Sequence, residues 1–312
     1  MGGDFGETVR AAGLALRAAS RRLLSGGRAA FQPEVPFPPA QAPFFYGWVI
    51  LAAATLGIIA SIPGQTMGVS VFTDILIHEL GLTRVQLSLA YLLGTLASGL
   101  LVTWGGRLFD RHGARVMVVA CCLLFGLSLV LMGQVDRMAA AICGLSGALT
   151  PWMVAFAVIV LGFFAIRFLG QGMLTVTARA MLGKWFDKRR GLAFAINGVI
   201  VSFGFSSAPM ALDTLIGMFG WRGAYVFLGL AVGVGMGLAG WALFRDNPED
   251  CGLRMDGGEV HHRHALQEAP TVVREWQLRE ALRTPAFWAF NLGTAWFALL
   301  TTAYTFHVLS IG

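Results

Sequence analysis

The sequence predicts an all-α integral membrane protein. Hydrophobic residues make up 56% of the 312 and charged residues only 13%, where a soluble domain carries about 25% charged. Mean hydropathy is +0.68. The apolar residues gather into seven runs, at 46–71, 85–104, 116–134, 152–182, 191–212, 222–244 and 286–309, each long enough as a helix to cross a hydrocarbon core of ~30 Å. Lipid offers no partners to backbone polar groups, so spans of this kind are helical. The third observation is charge asymmetry. With the N-terminus in the cytoplasm, nineteen of the 23 Lys and Arg fall inside and three outside, at Arg84, Arg137 and Arg222. That is the positive-inside pattern, and it accounts for the pI near 9.6 without a nucleic-acid partner.

Residues 1–44 form a cytosolic tail and linker. The tail is Arg-rich, with an amphipathic stretch over Val9–Leu24, but Asp4 and Glu7 depart from the acid-poor composition of a transit peptide. "MGGDFG" has Gly6 where a myristoylation site needs Ser or Thr. "PEVPFPPAQAP" (33–43) reads as a stiff, extended proline linker. The first run contains Pro63-Gly64, a helix break, with Ser61 and Gln65 beside it. Between the second and third runs lies "GGRLFDRHGAR" (105–115), a dense charged turn. Residues 138–174 are one apolar stretch interrupted by Thr150-Pro151. Counting 138–150 as a span would put Lys184, Lys188, Arg189 and Arg190 outside, so it is read as an outer loop or interfacial segment.

The fourth run holds Arg167 near its middle, followed by Gln171 and Thr175 at helical spacing. A charge at the bilayer centre costs at least ~2.5–3.5 kcal/mol on insertion scales and therefore faces a wet cavity or a partner. No acidic residue lies mid-span to neutralise it. Two readings stand: an anion-binding cation, or a structural Arg paired to helix carbonyls or a buried amide. In the fifth run, Gly191, Ala195, Gly198, Ser202, Ser206 and Pro209 line one face, as close helix packing in lipid requires. Residues 245–284 form an inner loop separating six spans, the 45–244 bundle, from the seventh at 285–312. Its "HHRH" (261–264) reads as solvated loop, and "REWQLREALR" (274–283) as an amphipathic interfacial helix. The seventh run offers Thr301, Thr302 and Tyr304.

Several motifs point nowhere. "GMGLAG" (235–240) has dinucleotide-fingerprint spacing, but that motif needs a strand-to-helix turn, and here it sits inside a span. "GLSG" (144–147), with Ser146 and a distant His307, resembles an intramembrane serine protease only in that fragment. The four cysteines show neither disulfide nor metal spacing. No cofactor and no metal is implied.

The charged turn carries the strongest resemblance. Gly106-x-x-x-Asp110-Arg111-x-Gly113-x-Arg115 resembles the signature loop of the major facilitator superfamily, departing at Val116, where a basic residue is usual. "GKWFDKRRGLAFAINGVIVSFG" (183–204), "FYGWVI" (45–50), "PGQTMGVSVF" (63–72), "DNPEDCGL" (246–253) and "EALRTPAFW" (280–288) are similar to its monocarboxylate porter and oxalate:formate antiporter branch. The resemblance covers about residues 44–312. It implies the six-helix N-terminal half of a facilitator fold, two inverted three-helix repeats, plus a seventh helix of an incomplete second half. It implies alternating-access transport of a small organic anion, with a coupled proton or an exchanged anion as the open alternatives, in the plasma or inner membrane. Gly106, Asp110, Arg111, Gly113 and Arg115 would form the conformational gate. Facilitator cavities are lined by helices 1, 4, 7 and 10, which selects Arg167, Gln171, Thr175, Gln65, Ser61 and Tyr304 as substrate-binding candidates. A membrane sensor on the same fold is the alternative function.

Overall fold

The computed structural model describes residues 31–146, 150–257 and 278–311. Among them the regular structure is helical throughout, with no strand. The amphipathic stretch at 9–24 and the "HHRH" tract lie outside the described residues, as does the rest of 258–277.

The first apolar run is two helices, α1 (Gly47–Ala60) and α2 (Thr66–Leu80), joined by a 3-10 turn at Ile62–Gly64. Pro63 cannot donate to the helix ladder, and the break falls there. Helix α2 ends on Gly81, whose φ of 61° is the left-handed conformation favoured after a helix C-terminus. Helix α3 (Arg84–His112) starts on a capping box in which Thr83 and Gln86 satisfy each other's backbone N–H groups. Helix α4 (Ala114–Met132) follows Gly113 directly.

The 138–150 stretch is not a loop. It belongs largely to helix α5 (Val135–Ser146), which lies against α6 (Pro151–Ile166). At ~1.5 Å per residue α5 is about 18 Å long, too short to cross the hydrocarbon. Pro151 opens α6, as a residue lacking an N–H does well at the first helical position.

The fourth run does not stay α-helical. Residues Arg167–Leu174 adopt a π-helix before α7 (Thr175–Trp185). The fifth and sixth runs merge into α8 (Arg190–Leu230), broken in direction at Gly220 (φ 69°) and followed by a second π-segment, Ala231–Met236, and α9 (Gly237–Leu243). After the loop come a single turn, α10 (Leu278–Ala281), and α11 (Pro285–Ile311).

Four of these helical stretches are long and apolar enough to cross a membrane: Arg84–His112, Ala114–Met132, Pro151–Trp185 and Arg190–Leu243. Helix α3 packs along α6, α1 along α7, and α4 sits centrally against α8 and the Ala231–Met236 segment. The core between them contains Ile58, Leu87, Phe125, Phe163, Ile166 and Leu174, all without solvent exposure. The outer faces are equally apolar. Leu100 and Met210 are at least 80% exposed and Phe203 nearly three-quarters, an arrangement that water penalises and lipid does not.

Close helix packing lies away from the expected stripe on α8. Gly191 and Gly198 have nothing within 4 Å of where a Cβ would stand, and their face is exposed among the described residues. Backbones meet instead between α4 and the end of α8. A Cβ on Gly126 would lie 2.4 Å from the Gly229 carbonyl oxygen and 2.6 Å from Gly233 Cα. Within "GMGLAG", Gly240 is tight against Val118 while Gly235 is open.

Candidate functional site

The site is built around the break between α1 and α2. Gly64 has no Cβ to spare: one would stand 2.3 Å from the Ile166 carbonyl oxygen. That close approach brings the break against the end of α6, and Arg167 is the next residue. Its Nη1 donates to the Gly64 carbonyl oxygen at 3.3 Å and to Thr66 Oγ1 at 3.4 Å. The guanidinium also stands 5.0 Å from the centre of the Tyr91 ring, a cation–π geometry, and the Tyr91 hydroxyl donates to Thr66 Oγ1 at 2.9 Å. Arg167 is 4% exposed. Among the described residues no carboxylate lies within ion-pair distance of it. A guanidinium has five N–H donors, and these two long bonds engage one nitrogen.

The six substrate-binding candidates divide into groups. Ser61, Gln65 and Thr175 are buried and bonded to one another. Gln65 Nε2 donates to Ser61 Oγ at 2.9 Å and to Thr175 Oγ1 at 3.4 Å, and Ser61 Oγ donates to the Ile58 carbonyl at 2.6 Å. They tie the break to the start of α7. Arg167 and Gln171 instead line an open cavity of about 560 Å³ with Ser88, Tyr91, Thr95 and Thr302. The π-segment causes the split: its i→i+5 bonding adds a residue to the turn, so Thr175 does not continue the face of Arg167 and Gln171. Thr175 Oγ1 lies 3.4 Å from the Gly170 carbonyl oxygen, five residues back. Tyr304 is 66% exposed and is not among the cavity-lining residues, whereas its neighbours Thr302 and Ala303 are.

The signature loop is likewise divided. Asp110 and Arg111 are exposed on the last turn of α3, and Gly106 has open space around it. Asp110 makes no hydrogen bond or ion pair among the described residues. Gly113 has φ 81°, and a Cβ there would lie 2.6 Å from Asp246 Oδ2. Asp246 Oδ1 accepts the Arg115 backbone N–H at 2.9 Å, so the acid that organises the turn comes from "DNPEDCGL". The Arg115 side chain is 2% exposed. It donates to the carbonyls of Trp241 (2.7 Å), Gln32 (2.8 Å) and Val35 (2.5 Å). Arg245 does the same from the other side, donating to Pro33, Ala242, Phe244 and Phe37. Burial pulls the Arg245 guanidinium below its ordinary pKa, with nearby Tyr46 opposing the shift. The proline-rich segment is thus strapped across the ends of α4 and α9. Nothing in its own sequence announces this, because the acceptors are main-chain oxygens.

One further anchor belongs to the loops. Asp256 accepts backbone N–H groups of Asp187, Lys188 and Arg189 at 3.1, 2.6 and 3.3 Å, capping the entry to α8. Among the described residues the ion pairs lie elsewhere, Arg222 with Glu79 and Asp136, and Arg84 with Asp74.

Comparison with known proteins adds a family and two relatives. The family model of the Major Facilitator Superfamily matches residues 51–312. A probable sulfoacetate transporter of Cupriavidus necator is 25% identical over 227 residues, 71% of this chain and 45% of that protein. A probable L-galactonate transporter of Escherichia coli K12 is 24% identical over 255 residues, 75% of this chain and 50% of that protein. The chain spans about half the length of these curated relatives.

Proposed function

Because the chain belongs to the major facilitator superfamily, we propose that it serves secondary transport of a small organic anion by alternating access. The observation that carries the reading is Arg167, a buried guanidinium with unspent donors on the wall of a cavity. A carboxylate entering that cavity supplies the missing counter-charge, and a low local dielectric strengthens the attraction relative to water. Arg suits this role because its planar fork holds a carboxylate through two parallel hydrogen bonds. That both relatives are named for anions supports the same reading.

The architecture in this proposal is a six-helix half over 45–244, an inner loop over 245–284 and the first helix of a second half from 285. Broken helix α1–α2 counts as one span, and Gly220 separates two. The turn from Gly106 to Arg115 acts as the gate on the cytoplasmic side.

Binding of small carboxylates to the purified protein in lipid nanodiscs tests the site. Arg167→Lys keeps the charge and loses the fork, while Arg167→Gln loses both. Affinity should fall in the order Arg, Lys, Gln, with at least about a tenfold loss for Gln, or 1.4 kcal/mol. Undiminished binding by Arg167→Gln would make the residue structural.

Orientation has its own test. Single cysteines in 245–284 should resist an impermeant thiol reagent on intact cells, and one at Arg137 should react. The reverse pattern would invert the topology.

A further inference from the structure

We propose that Tyr91 is a positioning residue: its ring face stabilises the Arg167 charge while leaving free the N–H groups that an anion needs. The inference rests on the anion reading of Arg167 and names what keeps that site ready between ligands. The guanidinium carbon of Arg167 stands 5.0 Å from the centre of the Tyr91 ring. Among the described residues only Nη1 has hydrogen-bond partners, at 3.3 and 3.4 Å. Nε and Nη2 have none there and, unlike Gln171 Oε1, are not sealed inside the protein. Arg167 and Tyr91 line the same cavity. The ring is itself fixed on two sides. Its hydroxyl donates to Thr66 Oγ1 at 2.9 Å, the oxygen that also accepts from Arg167. Phe163 meets it edge-on, with centroids 5.4 Å apart and planes at 84°.

A buried cation needs compensation, and the kind of partner decides what the cation can still do. A side-chain carboxylate would occupy the planar fork through two parallel hydrogen bonds, the same bonds a ligand carboxylate would form. Main-chain carbonyls would engage the donors one by one. An aromatic face attracts the cation through the ring quadrupole and takes up no particular N–H. Tyr91 therefore offsets part of the cost of placing a charge in the membrane with the fork left open. The bonds to Gly64 and Thr66 agree with this. Both are longer than the ~2.7–3.2 Å usual for N–H···O contacts, as expected of a guanidinium held by something else. Without the ring it would close on those oxygens, and an entering anion would have to displace them. The phenol oxygen only anchors the ring, so phenylalanine keeps the face that matters.

Phenylalanine and its mono-, di- and trifluorinated analogues, introduced at position 91 through a suppressed stop codon, provide the test. Fluorine weakens the ring quadrupole while nearly preserving its shape, so a role in packing alone would not register the change. In nanodiscs, Tyr91→Phe should bind acetate within about threefold of the parent. The trifluorinated ring should bind it about tenfold more weakly, with the other analogues between. The unfolding midpoint should fall along the same series, by about 2 °C or more in total. It should stay level when Arg167→Met accompanies each ring, since the partner is then gone. A level midpoint with Arg167 in place, or an equal slope without it, would overturn the pairing. A sloping midpoint with unchanged acetate affinity would overturn the positioning role and leave the anion site standing. If neither the parent nor any analogue binds acetate while the midpoint still slopes, the anion reading fails, and the positioning role with it.

Discussion

Alanine at Gly126 is expected to destabilise the protein by about 3 kcal/mol or more, the upper end of what overpacking costs. The added carbon meets main-chain atoms, the Gly229 carbonyl oxygen and Gly233 Cα. A flexible side chain can swing away from an intruder, but a helix backbone moves only with its whole helix, and interiors are packed too densely to absorb that. Gly229→Ala should behave similarly, because its Cβ would stand 2.7 Å from the Gly126 carbonyl oxygen. Gly235→Ala supplies the control. It lies a few residues away with nothing within 4 Å, and alanine there should be neutral or slightly stabilising through helix propensity. Thermal unfolding and the monodisperse fraction in detergent measure all three. Equal behaviour of Gly126→Ala and Gly235→Ala would refute the interlock.

Arg115→Met should cost about 2–4 kcal/mol and release the proline-rich segment to proteolysis. The methionine keeps much of the apolar bulk but leaves the carbonyls of Trp241, Gln32 and Val35 without their charged donor. A hydrogen bond to a charged group contributes a net ~1.5–3 kcal/mol, and the three are not additive because water reaches the freed carbonyls once the segment loosens. Lysine should not rescue it. Three carbonyls arranged around a planar fork are poorly served by a single ammonium on a flexible stem. Limited digestion near residues 31–37, alongside unfolding midpoints, separates the variants. If Arg115→Lys is as stable and as protected as the parent, fork geometry is not what holds the strap.

The long apolar helical stretches were legible because a membrane demands such runs whatever their neighbours are, although seven runs were read where, among the described residues, four helical stretches are long and apolar enough to cross. Thr150-Pro151 marked the start of α6, and Pro63-Gly64 the break between α1 and α2, for backbone reasons that any context preserves. The Arg167–Leu174 π-segment was not legible. It needs no special composition, and it carries Thr175 away from the face on which α-helical counting had placed it with Arg167 and Gln171. Ser61 and Gln65 were found as polar residues at a helix break, but composition does not reveal that they would bond to Thr175 across 110 or more residues. The stripe on α8 shows the opposite gap. Small residues permit close approach without specifying which helix arrives, and here α4 finds its partner at Gly229 and Gly233. The role of Asp246 at the signature turn escaped because it comes from a motif far along the chain.

The strap has a consequence for how its own residues can vary. Arg115 and Arg245 grip residues 32–37 through main-chain oxygens, which every amino acid supplies alike. Constraint therefore falls unevenly: heavily on the two arginines, lightly on most side chains they hold. The aromatic rings beneath the guanidiniums, Phe31 under Arg115 and Phe37 under Arg245, are the exceptions. In a family of related chains, Glu34 is free to drift while the arginines stay fixed, so the segment would look like unconstrained linker in any residue-by-residue comparison and still lie along one path.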